Sequence, residues 1–219
     1  MFTSRTIIIN SAGIGSRLGM NTPKTLLNFK GKPVIYWILK ALKKEKNIRI
    51  VIGYKGNEII RYVSKLRKDI TYVNNKNYFK TGTSSSFLLG CKHLNTEEVI
   101  SIDGDLIFNK DQIQKILNSK FPCIGVTNPN TDNIIYVKKV KVSKKYYFNG
   151  FTKNKTDYEW SGIFKIKLKK LNLKDKSFHI FEMLKKINCK FIISEIKSMD
   201  FDTPQDYENL KKNFSKIYF

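Results

Sequence analysis

The segment from Arg5 to Leu27, RTIIINSAGIGSRLGMNTPKTLL, constrains this chain more than any other. Ile7, Ile8 and Ile9 form a short, wholly apolar, β-branched run, the pattern of a strand buried on both faces of a parallel sheet. Small residues follow, Ser11, Ala12, Gly13 and Gly15, then Arg17 and, seven positions on, Lys24. Open α/β sheets place ligands beyond the carboxyl ends of their strands, and small residues there let backbone N–H groups approach phosphate oxygens. The segment is suited to holding a polyphosphate, with Arg17 and Lys24 as added cations.

Two common phosphate loops fit poorly. The pattern GxxxxGK[ST] is absent, and GxGxxG is only partly met by Gly13-Ile14-Gly15-Ser16-Arg17-Leu18. A dinucleotide fold also carries an acidic residue after its second strand, whereas IRIVIGYKGNE reaches Gly53-Tyr54-Lys55 before its first carboxylate. Ala12-Gly13-Ile14-Gly15-Ser16-Arg17-Leu18 followed by Pro23-Lys24 resembles instead the signature of the nucleotidyltransferase (pyrophosphorylase) superfamily. The resemblance implies that Ser11, Ala12, Gly13, Ile14, Gly15 and Ser16 bind nucleotide and that Arg17 and Lys24 are catalytic.

Composition narrows the alternatives. A chain of 219 residues with 41% hydrophobic content can bury one substantial core, and no compositional break asks for a second domain, so residues 1–219 are expected to form one domain. No stretch approaches the apolar length needed to span a bilayer and no secretory leader is recognisable, which points to the cytoplasm. Cys91, Cys123 and Cys189 are odd in number and widely spaced, which suits buried small side chains better than a disulfide or zinc framework. The net charge of +23 is spread over most segments rather than gathered on one helix, and no zinc-finger or aromatic RNA-binding signature accompanies it. A specific nucleic-acid partner is therefore not expected; such a field attracts anionic substrates.

Strand and helix signals alternate after the loop, as in a doubly wound sheet. Residues 32–46, 57–66 and the stretch from Phe87 to Cys91 have helical character, while 49–54, 70–73 and 99–103 read as strands. The hydroxyl cluster Thr81-Gly82-Thr83-Ser84-Ser85-Ser86 is expected to supply the cap of the helix that follows it. By resemblance to small cytidylyltransferases and molybdenum-cofactor nucleotidyltransferases, its Gly-x-x-x-Ser spacing also implies that Gly82, Thr83, Ser84 and Ser86 read base and ribose.

Carboxylates supply the remaining site candidates. Asp103 and Asp105, two positions apart in Val99-Ile100-Ser101-Ile102-Asp103-Gly104-Asp105, fall at the same sheet edge as the glycine loop. Magnesium is held by one or two carboxylates plus substrate phosphates, so a sparse ligand set suffices. The superfamily resemblance makes Asp105 a metal ligand and Asp103 an outer-sphere or ribose partner. In Asp200-Phe201-Asp202-Thr203-Pro204-Gln205-Asp206, Thr203, Pro204 and Asp206 make a helix start on their own account, with Tyr207, Leu210, Phe214 and Ile217 docking that helix. The resemblance gives Asp202, in preference to Asp200, the second place on the metal. It also implies an acceptor-binding insertion at about residues 130–170, with Glu159, Trp160 and Gly162 at the acceptor; Lys153, Lys155, Lys165 and Lys197 are candidates for the acceptor phosphate. His93 and His179 fall in apparent helices without metal-ligand spacing.

These readings converge on a three-layer, Rossmann-like, doubly wound α/β fold with a mostly parallel sheet and a small β-rich subregion. The expected activity is Mg2+-dependent transfer of a nucleotidyl group, CMP foremost, from a nucleoside triphosphate to a small phosphorylated acceptor such as phosphocholine or a sugar phosphate, with a homodimer as one arrangement. Methylerythritol phosphate suits the chain less, because Ser101 to Asp105 departs from that family's D-A-A-R-P segment. The alternatives are a UTP- or dTTP-dependent sugar-phosphate enzyme and, from another class, a non-catalytic nucleotide-binding or basic scaffold protein.

Overall fold

The computed structural model describes residues 4–129 and 135–219. Its chain order is β1 (Arg5–Ser11), β2 (Asn28–Phe29), β3 (Lys32–Pro33), α1 (Val34–Ala41), β4 (Ile48–Ile52), α2 (Gly56–Leu66), β5 (Ile70–Asn74), α3 (Thr83–Cys91), β6 (Glu98–Asp103), β7 (Ile107–Phe108) and α4 (Ile113–Leu117). The second half adds β8 (Cys123–Thr127), β9 (Tyr136–Val142), β10 (Lys145–Thr152), β11 (Glu159–Lys167), α5 (Ile180–Lys186), β12 (Ile192–Glu195), β13 (Ser198–Met199) and α6 (Pro204–Tyr218). The main sheet runs β5-β4-β1-β6-β11-β8-β12-β10-β9. Among the described residues no helix is long and apolar enough to cross a membrane.

The four strands β5, β4, β1 and β6 are mutually parallel, and Ile7, Ile8 and Ile9 of the inner strand β1 are fully buried. A strand covered on both faces has no polar side to spare, which is why the run is continuous rather than alternating. The chain leaves β1 toward β4 and β5, then returns through α3 to β6 on the other side of β1. That reversal is the topological switch point at which open α/β sheets form their ligand crevice. Beyond β6 the sheet becomes mixed: β11 is antiparallel to both β6 and β8, β12 is parallel to β8, and the β9–β10 hairpin closes the edge. This is the expected β-rich subregion; Asn133 and Ile134, read from sequence as part of it, lie outside the described residues.

Two apolar clusters sandwich the sheet. One packs α1, α2 and α6 and the other packs α3 and α5. Helix α1 ends at Ala41 rather than at residue 46, because Lys43-Lys44-Glu45-Lys46 offers no apolar face to bury. The terminal helix α6 docks as its sequence predicts: Tyr207, Leu210 and Phe214 are buried, and the Tyr207 and Phe214 rings pack on Phe29. Cys91 and Cys123 are buried, with burial pushing both thiols up to about 12, whereas Cys189 is only half-buried.

Candidate functional site

Register brings the first pieces of the site together. In the β1–β6 pair Asn10 lies beside Asp103, so the loop after β1 and the turn after β6 leave the sheet at one point. Asn10 Nδ2 donates to Asp103 Oδ1 at 3.3 Å and to Ser101 Oγ at 2.9 Å. At Gly104 the turn presses on β1: a Cβ there would stand 2.3 Å from Ser11 Oγ and 2.6 Å from the Asn10 carbonyl, a gap only glycine leaves. Gly162 on β11 approaches from the other side with φ of +75°, and a Cβ on it would stand 2.8 Å from Asp103 Oδ2. Glycine at these two positions lets Asp103 reach the edge of a cavity of about 370 Å3.

The glycine loop and the second half of the molecule close that cavity. Gly13, Gly15, Ser16, Arg17, Pro23 and Lys24 line it on the loop side, with Ser11 and Thr25 behind them. Asp103, Asp105, Asp200 and Asp202 face them. Lys24 Nζ stands 2.9 Å from Asp105 Oδ2 and 2.5 Å from Asp202 Oδ1, and an Arg17 guanidinium nitrogen stands 2.7 Å from Asp202 Oδ2. Asp202 is itself held by the start of α6. Asp206 Oδ2 accepts from the backbone N–H groups of Asp202 and Thr203, while the Thr203 hydroxyl accepts from the Asp206 N–H, a reciprocal capping box. Asp206 is structural, as its position in the cap predicts.

Four carboxylates in one cavity perturb one another. Burial, then the Asp105 charge, pushes the Asp103 carboxyl up to about 8 against the Asn10 hydrogen bond. Burial, then the charges of Asp105 and Asp202, pushes Asp200 up to about 7 against the pull of Lys24. Burial alone would lower the Lys24 ammonium, but Asp105 and Asp202 outweigh it and hold the group above its ordinary value. An unfolded aspartate titrates near ~3.9, so between there and these raised values the folded chain binds more protons than the unfolded one, and stability falls as pH rises. The metal-free protein is expected to lose about 1–2 kcal/mol between pH 5 and pH 8, allowing for the partial access both groups keep to the cavity. Asp103→Asn should remove much of that slope, as denaturant unfolding at a series of pH values would reveal; an unchanged slope would place the titration elsewhere.

The structure sorts the remaining sequence candidates. Ala12 is buried and its carbonyl accepts from the Tyr54 N–H, while Ile14 is exposed and lies off the cavity wall. Of the hydroxyl cluster only Thr83 lines the cavity. No hydroxyl caps α3, contrary to the pattern's promise: the cap is Gly82, without a side-chain hydrogen bond. The cluster is instead packed. Gly82 abuts the Phe178 carbonyl, Ser84 is fully buried, Ser86 Oγ accepts from Asn75 Nδ2, and Thr83 Oγ1 accepts from the N–H of Ile180 at the start of α5. None of Glu159, Trp160 and Gly162 lines the cavity; Glu159 is buried in β11, the Trp160 ring packs on Phe151, and Gly162 stands behind Asp103. Lys165 is withdrawn altogether: its ammonium is buried against Glu98 at 2.7 Å and donates to the Leu117 and Ser119 carbonyls.

Sequence reasoning missed several lining residues. Neither histidine sits within a helix. His93 follows α3 with φ of +56°, and His179 is the cap of α5, placing its ring on the cavity wall beside Thr83. Asp200 also lines the cavity, beside the preferred Asp202. A signal did exist for Asn10, a polar residue closing an apolar strand, whereas nothing local announces His179.

Two carboxylate oxygens from separate elements reach a single cation here, so the donor set fits a hard divalent ion of the magnesium type, which takes carboxylates and completes its shell with phosphate and water. Among the described residues no group of three His, Cys, Asp or Glu side chains forms a ready-made metal cage.

Comparison with known proteins adds four findings. The family model of the MobA-like NTP transferase domain matches residues 7–137. The chain is 30% identical over 115 residues to the bifunctional protein GlmU of Aliarcobacter butzleri, which covers 51% of this chain and 26% of that protein. It is 27% identical over 145 residues to the 2-C-methyl-D-erythritol 4-phosphate cytidylyltransferase of Fusobacterium nucleatum, covering 62% of this chain and 58% of that protein. The chain thus spans about a quarter of the first relative's length and under two thirds of the second's. In fold it is similar to the inositol-1-phosphate CTP transferase from T. maritima, with a TM-score of 0.76 and 19% identity over 98% of this chain and 96% of that one.

Proposed function

The chain belongs to the MobA-like NTP transferase family, and from that premise we propose that it transfers a nucleotidyl group, CMP foremost, from a nucleoside triphosphate to a small phosphorylated acceptor and releases pyrophosphate. The observation that carries this reading is the convergence, in one cavity, of the glycine loop, Arg17, Lys24 and the aspartates 103, 105 and 202. A scaffold has no use for that combination. The choice of CTP rests on the cytidylyltransferase among the sequence relatives and on a structural neighbour described as a CTP transferase.

The reaction needs little proton chemistry. A phosphate monoester has its second pKa near ~6, so the acceptor oxygen is anionic at neutral pH and attacks without a general base. Its bond to the α-phosphorus forms as the bond from the α-phosphorus to the bridging oxygen breaks, and the electron pair departs with pyrophosphate. Catalysis is then alignment and charge neutralisation. Open space beside Gly13 admits phosphate to the loop, and Arg17 and Lys24 neutralise the charge that builds on the leaving group. Asp103 takes a ribose hydroxyl. Asp105 and Asp202 would hold Mg2+, which supplies the Lewis-acid neutralisation of the phosphates when bound. Arg17 and Lys24 are already matched by Asp105 and Asp202, which leaves the cavity without positive charge to spare for a triphosphate and favours entry of the nucleotide with a divalent cation. The acceptor would lie toward Gly162 and the β-rich subregion, with Glu159 and Trp160 behind.

The testing experiment is thermal unfolding with CTP, UTP, GTP, ATP or dTTP, each with Mg2+, followed by a pyrophosphate-release assay with phosphorylated acceptors. At about 100 times its dissociation constant a bound nucleotide adds about 2.7 kcal/mol, or roughly 5–10 °C for a chain of this size. CTP is expected to give the largest shift. A larger shift with UTP or dTTP would move the assignment to a sugar-phosphate enzyme, and no shift with any nucleotide and no pyrophosphate release would defeat the enzyme reading.

A further inference from the structure

We propose that Lys24 is a tethered counter-ion: its ammonium holds Asp105 and Asp202 together until a divalent cation arriving with the nucleotide displaces it toward the phosphates. The inference rests on the assignment of those aspartates to the metal and concerns what the lysine does before the metal arrives.

Asp105 follows β6 and Asp202 precedes α6, so the two carboxylates come from distant parts of the chain. Two carboxylates facing one space repel. Lys24 Nζ offsets it by bridging both, while Arg17 takes the second oxygen of Asp202. The ammonium therefore stands where the two prospective metal-binding carboxylates converge.

The lysine is mounted for this position. Its stem crosses Gly15 so closely that a Cβ on that residue would stand 2.9 Å from Lys24 Cγ, and its ammonium lies 5.7 Å from the centre of the Phe201 ring. The stem is confined from Cγ to Cε, and the head is held by its two carboxylates. A divalent cation entering alone must break both ammonium contacts and gains only two carboxylates in return. Accompanied by a triphosphate, it brings further oxygen ligands, and the released ammonium finds a new anionic partner. Metal affinity is therefore expected to be low in the absence of nucleotide and to rise when nucleotide is present, a positive coupling between the two ligands.

The test is a titration of Mn2+ alone, followed by electron paramagnetic resonance of the free ion, on the whole chain and on Lys24→Met and Lys24→Arg. Removing the competing ammonium should tighten Mn2+ binding about tenfold in Lys24→Met, whereas Lys24→Arg keeps the competitor and stays weak. The gain should vanish in Lys24→Met combined with Asp105→Asn, which ties it to this site. A merely structural lysine gives the opposite sign, since its loss would splay the aspartates and weaken Mn2+. Equal or weaker Mn2+ binding in Lys24→Met would overturn the proposal; should that variant not fold, Lys24→Gln decides by the same criterion. Pyrophosphate release in the native chain reads the enzyme assignment separately, so either can fail without the other.

Discussion

Asp202→Asn is expected to lower kcat/KM for nucleotidyl transfer on the order of 10^3-fold, with little change in the stability of the folded chain. Asp202 is the common partner of Lys24 and Arg17, taking one cation on each carboxylate oxygen, and it is also a proposed metal ligand. Its loss therefore disturbs every charge placed to meet the departing pyrophosphate. Stability should hold because the substitution removes a negative charge from a crowded cluster and relieves Asp200, which burial and the Asp105 and Asp202 charges already push up. The backbone at this point is held by Asp206, which the substitution leaves intact. Steady-state kinetics beside a denaturation curve would separate the two effects. A loss of under tenfold would remove Asp202 from the reaction, and a stability loss of several kcal/mol would make it a structural residue.

The second large effect is on folding. Lys165→Met is expected to destabilise the chain by about 3–5 kcal/mol, roughly 10 °C in Tm, with no part in the chemistry. In the β6–β11 ladder Lys165 lies opposite Ile100 and Lys167 opposite Glu98, so Lys165 and Glu98 are diagonal neighbours on one face. Their side chains are 3% and 9% exposed, and the ammonium also satisfies the carbonyls of Leu117 and Ser119 at the end of α4. Removing the lysine strands the Glu98 carboxylate and leaves the Ser119 carbonyl without this donor, while the Leu117 carbonyl keeps the Arg5 guanidinium. Replacing both partners, as in Lys165→Met with Glu98→Leu, should recover much of the loss, because a buried pair gains little over apolar packing of the same shape. Thermal unfolding of the two single variants and the double variant measures this directly; a Lys165→Met protein within 1 kcal/mol of the native one would contradict the buried pair.

What the sequence made legible was chemistry with a short reach. The strand Ile7 to Ile9, the small residues after it, the Pro23-Lys24 pair and the box Thr203 to Asp206 each carry their meaning within a few residues, where the chain itself fixes geometry. Asp105 and Asp202 were singled out by resemblance to the superfamily pattern, and the structure brings both carboxylates to Lys24 in one cavity. The role of Lys165 was not legible, because a lysine near a suspected acceptor region looks like any other until strand register places Glu98 beside it. The hydroxyl cluster misled in the same way. Gly82 to Ser86 has the composition of a cap, but the approach of Phe178 to Ile180 turns those residues into packing and lends the Thr83 hydroxyl to another helix. His179, beside that contact, lines the cavity.

The capping box of α6 has a bearing on when the protein can work. Synthesis delivers the glycine loop, Lys24 and Asp105 early, but Asp202 waits for Thr203 and Asp206, and they wait for a helix whose Tyr207 and Phe214 rings must settle on Phe29. A chain folded without α6 therefore displays a phosphate loop whose opposite wall holds Asp103 and Asp105 but lacks a fixed Asp202. The loop and Asp105 can thus be in place while the cavity is still unfinished, and it is the docking of α6, not the folding of the loop, that sets all four aspartates opposite the glycine loop.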